Sequence, residues 1–104
     1  MNVFIWIDDE RDLPSTSRFN RVEVAHNFNE AISLLSRYFQ DESNLVYIDF
    51  DHDLGEGRTG YDIAKEIVKS QFPCENVRYR IHSMNPVGRA NIEQLLSHYG
   101  YKKF

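Results

Sequence analysis

Leu45-Val46-Tyr47-Ile48-Asp49-Phe50-Asp51-His52-Asp53-Leu54-Gly55 decides how this chain is read. An apolar, strand-like run breaks abruptly into carboxylates, an imidazole and a glycine. A nearly continuous apolar run suits a buried central strand, because a strand covered on both faces need not alternate. In open α/β sheets, ligands gather just beyond the carboxyl ends of the strands. Asp51-His52-Asp53 is therefore expected at a sheet edge where a cation or a phosphate can be held. Asp, His and Gly also make ordinary polar turns, so this stretch alone leaves a purely structural explanation open.

Outward from it, the same pattern recurs. Val3 to Ile7 is a short apolar run that breaks into Asp8-Asp9-Glu10-Arg11-Asp12, too short for a helix and suited to a buried strand. Pro14 and Ser15-Thr16-Ser17 read as a loop or one short turn, and Val22 to Ala25 as a weak second strand. Asn27 and Glu30 stand at capping positions of a helix whose apolar face is Phe28, Ala31, Ile32, Leu35, Tyr38 and Phe39. After the flexible Gly55-Glu56-Gly57-Arg58, Thr59 and Asp62 form a second capping box. Ile63, Ala64, Ile67 and Val68 form that helix's buried face, and Pro73 marks its end. Val77 to Ile81 reads as a strand with Arg78 and Arg80 on one side.

Asn85-Pro86 supplies an N-cap and a proline at the first helical position. Ile92, Leu95, Leu96 and Tyr99 continue that helix, with Gly100 as its stop. Tyr101 to Phe104 is the candidate for a last edge strand. The order β-β-α-β-α-β-α, with that final β, predicts a parallel sheet with helices on its faces.

With 104 residues, the chain is expected to form one domain, residues 1 to 104, with a real core. Hydrophobic residues make up 41% and aromatics 13%, which speaks against disorder. A net charge of -4 gives no global basic field, hence no DNA signal. Cys74 is the single cysteine, which excludes an internal disulfide and a multi-cysteine zinc site. No basic start followed by a long apolar segment is visible, so a cytoplasmic chain with no membrane partner is expected. There is no internal repeat, P-loop, dinucleotide fingerprint or nucleophile elbow.

Three strand ends thus carry polar residues that folding alone does not require: Asp8-Asp9, Asp51-His52-Asp53 and His82-Ser83. In a parallel sheet they share one edge, where the acids repel one another unless a cation joins them. Hard oxygen ligands suit Mg²⁺ or Mn²⁺. His82-Ser83-Met84-Asn85-Pro86-Val87-Gly88-Arg89 leads into a helix N-terminus, which favours an anion. Gly88 permits close approach there, and Arg89 offers a forked cation for phosphate oxygens. His26 and His98 read as structural. Trp6 and Tyr61 lie near the same edge, with core packing as their simpler role.

These residues resemble a known family. The acid pair after the first strand, the acid ending the third and the serine ending the fourth look like a response-regulator receiver domain. Trp6-Ile7-Asp8-Asp9-Glu10-Arg11, Asp51-His52-Asp53-Leu54-Gly55, Gly60-Tyr61-Asp62 and the segment from His82 to Arg89 are similar to the cyclic-phosphate-processing receiver-like family. The resemblance runs from residue 6 to residue 96. It implies a truncated receiver-like (flavodoxin-like) α/β domain with helices on both faces. The implied function is a metal-assisted phosphoesterase acting on a cyclic phosphate of a nucleotide or RNA terminus.

On this reading Asp8, Asp9, Asp51 and Asp53 hold Mg²⁺ or Mn²⁺. His52 and His82, with Asp51, carry the chemistry, while Ser83, Asn85 and Arg89 seat the phosphate. A non-catalytic signalling or nucleotide-binding module and a protein-interaction domain are the alternatives. Asp49 and Asp51 compete for the receiver's acid position: the apolar run ends at Asp49, and the family motif points to Asp51. Lys102 or Lys103 stands nearest to the receiver's lysine. The segment between the first two strands is short for a first helix.

Overall fold

The computed structural model describes residues 1–9, 18–54 and 57–104. The turn expected around Pro14 to Ser17, and Gly55 and Glu56 of the glycine loop, lie outside the described residues. Five strands, β1 (Asn2–Ile7), β2 (Arg21–Ala25), β3 (Leu45–Phe50), β4 (Val77–Ile81) and β5 (Lys102–Lys103), form one sheet. Three helices, α1 (Phe28–Tyr38), α2 (Gly60–Ser70) and α3 (Pro86–His98), connect them. All neighbouring strands are parallel, in the order β2-β1-β3-β4-β5. This is the receiver-like, flavodoxin-type α/β fold expected from the alternation of strands and helices.

Strand order and handedness decide where the helices go. The steps β2 to β3, β3 to β4 and β4 to β5 all move the same way across the sheet. Right-handed crossovers therefore place α1, α2 and α3 on a single face. The packing agrees. Val3, Ile5, Ile7, Val46, Ile48, Phe50, Val77 and Tyr79 alternate onto that face and share one apolar cluster with Ala31, Leu35, Ile63, Ile67, Ile92 and Leu96. The step from β1 to β2 runs the other way, so its connection belongs to the second face, and most of it falls outside the described residues. On that face Phe4 and Trp6 are buried. Phe4 meets Phe19 at 4.9 Å and Phe104 at 6.3 Å between ring centroids, and Tyr47 meets each of these two at 5.0 Å.

Local signals in the sequence set the element ends. Asn27 accepts from the Glu30 amide at 2.9 Å and opens α1. Thr59 and Asp62 make a reciprocal capping box at the start of α2, and Asn85 with Pro86 opens α3. Helix α2 ends at Ser70 rather than at Pro73, because Gln71 takes the left-handed conformation at φ 60° and turns the chain out. Gly100, at φ 88°, serves the same purpose after α3. Among the described residues no helix is long and apolar enough to cross a membrane.

Gly60, the first residue of α2, ties the helix to the turn after β3. Its amide donates to the His52 carbonyl at 2.8 Å. A Cβ there would stand 2.4 Å from the Asp51 carbonyl oxygen and 3.2 Å from the His52 Cα, both backbone atoms that cannot rotate aside. Gly60→Ala should therefore destabilise by about 1–3 kcal/mol despite alanine's better helix propensity, because overpacking against backbone outweighs that gain. Urea unfolding checks this, and an unchanged or higher midpoint would contradict the close contact.

Candidate functional site

Beyond the last paired residues of β1, β3 and β4, the ladder continues for one more row. The Asp8 amide donates to Ala25 at 3.0 Å, the Asp51 amide to Ile7 at 2.8 Å and the His82 amide to Phe50 at 2.9 Å. Asp51 is thereby held between Asp8 and His82, next to where the strand order reverses between β1 and β3. In such sheets this reversal opens a crevice for ligands. One potential ligand atom from each of Asp8, Asp51 and His82 lies within 4.8 Å of the others. The strand-end motifs expected at one edge are at one edge.

His82 holds this row together. Its Nε2 is 2.8 Å from Asp8 Oδ2, and its Nδ1 is 2.7 Å from Asp49 Oδ1. Ionised carboxylates only accept, so both ring nitrogens must donate, and the imidazolium is the form that satisfies both. Burial alone would lower the affinity of His82 for its second proton. The hydrogen bonds and charges of Asp49 and Asp8 outweigh that and hold its pKa above the ordinary value. The indole of Trp6 lies flat on the imidazole, 4.0 Å between centroids at 8°, and fixes the ring plane. Trp6, which the sequence left between core and pocket, is thus buried and in contact with the site.

The two candidate acids of the central strand separate cleanly. Asp49 lies inside β3, with a side chain only 3% exposed, and spends both oxygens on partners. Oδ1 meets His82, and Oδ2 meets Arg80 Nε and Nη2, each at 3.1 Å. The guanidinium of Arg80 in turn covers the Phe104 ring, 4.5 Å from its centroid. Asp51, one row further out, is the acid that shares the Asp8 row. Its pKa is raised, first by burial and then by the negative charge of Asp8. Sequence reasoning placed Arg80 on one side of β4 but missed its pairing with Asp49. Two-residue alternation from His82 would have put it on the site's face.

The remaining candidates form a second group or stand apart. His52 Nδ1 is 3.1 Å from Asp53 Oδ1 and 3.4 Å from Asn85 Nδ2. Its ring fills the space a side chain at Gly88 would need, since a Cβ there would stand 2.3 Å from His52 Cγ and Cδ2. Asp53 is 69% exposed, and neither it nor the half-buried Asp9 joins the Asp8–Asp51–His82 cluster. Ser83 Oγ accepts from the Asn85 amide at 3.1 Å, and Asn85 Oδ1 accepts from the Gly88 amide at 3.0 Å. Two of the helix-terminal N–H groups expected to receive an anion are therefore already used by these caps.

Arg89 is exposed and has no ion-pair partner among the described residues. It borders an open depression of about 450 Å³ with Ser83 and Glu93. Lys102 and Lys103 pair with Arg78 and Tyr79, rows that end about 10 Å short of His82 at the rise of a strand. Lys103 is bound to Glu93. Neither lysine shares the row of the acids.

The titration of this cluster has a definite sign. The folded pKa of His82 lies above its unfolded value near 6.5, so its contribution to stability is complete below that value and is lost as pH rises through the folded one. Asp51, also raised, acts in the same direction at lower pH: its penalty is present at neutral pH and relieved as pH falls toward 3.8. Unfolding free energy measured in urea should decline from about pH 6 to pH 9, and His82→Gln should remove the decline. A flat wild-type profile over that range would contradict an imidazolium bridge.

No curated protein and no solved structure matches the chain. A family model described as the cyclic-phosphate processing Receiver domain matches residues 3–98. That span runs from β1 to the end of α3 and takes in all three strand ends of the site. The chain therefore belongs to the family of cyclic-phosphate processing Receiver domains.

Proposed function

We propose that this domain is a metal-assisted phosphoesterase that opens the cyclic phosphate of a nucleotide or RNA terminus. The observation that carries the reading is the single row of Asp8, Asp51 and His82 at the strand-order reversal, with ligand atoms within 4.8 Å of one another. Family membership supports the substrate chemistry. Asp8 and Asp51 fit a divalent cation: they are hard oxygen donors, and the raised pKa of Asp51 records burial and Asp8 repulsion that a cation would relieve. Asp9 and Asp53 lie outside the cluster, so the proposal keeps Asp8 and Asp51 as the ligands. Bound there, Mg²⁺ or Mn²⁺ would neutralise phosphate charge and lower the pKa of a water.

The chain's own groups supply the proton transfers. Opening the ring forms a bond from water oxygen to phosphorus and breaks the bond to one ribose oxygen. The water must lose a proton and the departing oxygen must gain one. His82, held as a cation by Asp8 and Asp49, is suited to give its Nε2 proton to the departing oxygen. His52, with Nδ1 against Asp53, has Nε2 available to receive the water's proton. Arg89, exposed beside the α3 N-terminus, supplies a charged contact for phosphate oxygens, with Ser83 and Asn85 shaping the turn that presents it.

The cation half is tested without any substrate. Thermal melts in Mg²⁺ or Mn²⁺ against chelator should show stabilisation of about 2.7 kcal/mol at a hundredfold excess over Kd, absent in Asp51→Ala. Identical melts for both proteins would remove the metal from the proposal.

The catalytic half is tested by turnover of 2′,3′-cyclic mononucleotides and of RNA ending in a cyclic phosphate. His82→Gln and His52→Ala should each lose about 10²–10⁴-fold in rate, as positioned acid–base groups do. Arg89→Ala should chiefly raise KM. Binding without turnover would leave a nucleotide-recognition module. Labelling of Asp51 by a small phosphodonor, with no turnover, would make the domain a phosphoacceptor.

A further inference from the structure

We propose that Asp49 is a positioning residue for His82: it fixes the imidazole so that Nδ1 keeps its proton and Nε2 is the nitrogen that exchanges one with substrate. This rests on the reading of His82 as the proton donor to the departing oxygen. The argument begins with what a buried acid costs. Asp49 sits in the middle of the central strand with its side chain 3% exposed, where an apolar residue would pack at no electrostatic cost. Desolvating an ionised carboxylate is unfavourable unless its oxygens are paired. Folding alone does not call for a charge at this position.

The pairing is directional. Arg80 brings two nitrogens to Oδ2, each at 3.1 Å, and so aims Oδ1 at His82 Nδ1, 2.7 Å away. Trp6, flat against the imidazole, blocks rotation out of that plane. When Nε2 gives its proton away, the proton left on the ring stays on Nδ1, because Asp49 can only accept a hydrogen bond. The breaking ribose oxygen–phosphorus bond then has a neutral, correctly oriented imidazole beside its product hydroxyl. The same ring can take the proton back from solvent for the next turnover.

Asp49→Asn is the informative variant. The amide oxygen of asparagine would remain with the two Arg80 donors, so its NH₂ would face His82 Nδ1 and force the opposite tautomer. Two readouts follow, at one fixed pH. In ¹⁵N-labelled wild type, the Nδ1–H of His82 should appear as a downfield, slowly exchanging imidazole proton, and it should be absent in Asp49→Asn. On a 2′,3′-cyclic phosphate, Asp49→Asn should lose about 10²–10⁴-fold in kcat with KM little changed, a split that a reduced folded fraction would not give once rates are normalised to folded protein. If Asp49→Asn does not fold, the wild-type spectrum decides, since a neutral His82 carrying its proton on Nε2 overturns the proposal. An Nδ1–H that survives in Asp49→Asn, or a folded variant with unchanged kcat, also overturns it. A wild type that turns over no cyclic phosphate refutes the enzymatic reading, while the spectra still decide whether Asp49 sets the tautomer.

Discussion

The edge of this sheet depends on one cation shared by two buried acids. Asp8 is 1% exposed and Asp49 2%, and each carboxylate taken from water costs several kcal/mol if left without a partner. His82 meets both, one through each ring nitrogen. Arg80 adds a second positive group behind Asp49. The buried charges therefore form an alternating series, Asp8, His82, Asp49, Arg80, which leads from the crevice to the solvent-exposed guanidinium. Asp51 is outside that series and keeps a raised pKa, so the acid left uncompensated is the one nearest the crevice.

Topology explains why the series forms where it does. The sheet order brings β1 and β4 to either side of β3, so residues far apart in sequence meet in one row without any long side chain having to reach. The register Trp6 to Asp49 to Arg80 puts the indole, the orienting acid and its guanidinium partner side by side, one alternation below Asp8, Asp51 and His82. Two rows of one sheet face thus supply both the reacting groups and their supports. The helices contribute on the other side. Gly60 of α2 seats the Asp51–His52 backbone, and Gly88 of α3 makes room for the His52 ring.

Much of this was legible from residue patterns because it is local. The runs Val3 to Ile7 and Val77 to Ile81 lie in strands, Asn27, Thr59 and Asn85 cap helices, and Gly100 ends one. The acid and histidine motifs were expected at one edge because parallel strands share a carboxyl end. Asp49 was harder to read for a physical reason. An acid after an apolar run looks like the end of a strand, unless a partner on a neighbouring strand satisfies it. Here that partner is Arg80, distant in sequence and on an adjacent strand, and a linear pattern does not contain the pairing. The same limit applies to Ser83 and Asn85, whose side chains could serve an anion or the helix cap; the caps use them. Lys102 and Lys103 fall short of the acids because of where β5 pairs along β4, another property of register rather than composition.

The two histidines differ in what the fold asks of them. His52 faces a single acid, Asp53, whose exposed carboxylate is screened by water and contributes little to stability. Removing its ring costs mainly a contact with Gly88 and Asn85. Removing the His82 ring strips the cation from Asp8 and exposes Asp49 to Arg80 alone, which leaves a buried carboxylate without its partner, a penalty of about 3–5 kcal/mol where buried pairs have been broken. Loss of rate in a His82 variant therefore mixes chemistry with population of the folded state, whereas loss of rate in a His52 variant reports chemistry more directly. Asp49→Asn occupies useful middle ground, since it keeps the side-chain volume and the Arg80 contact while changing only which ring nitrogen can hold the proton.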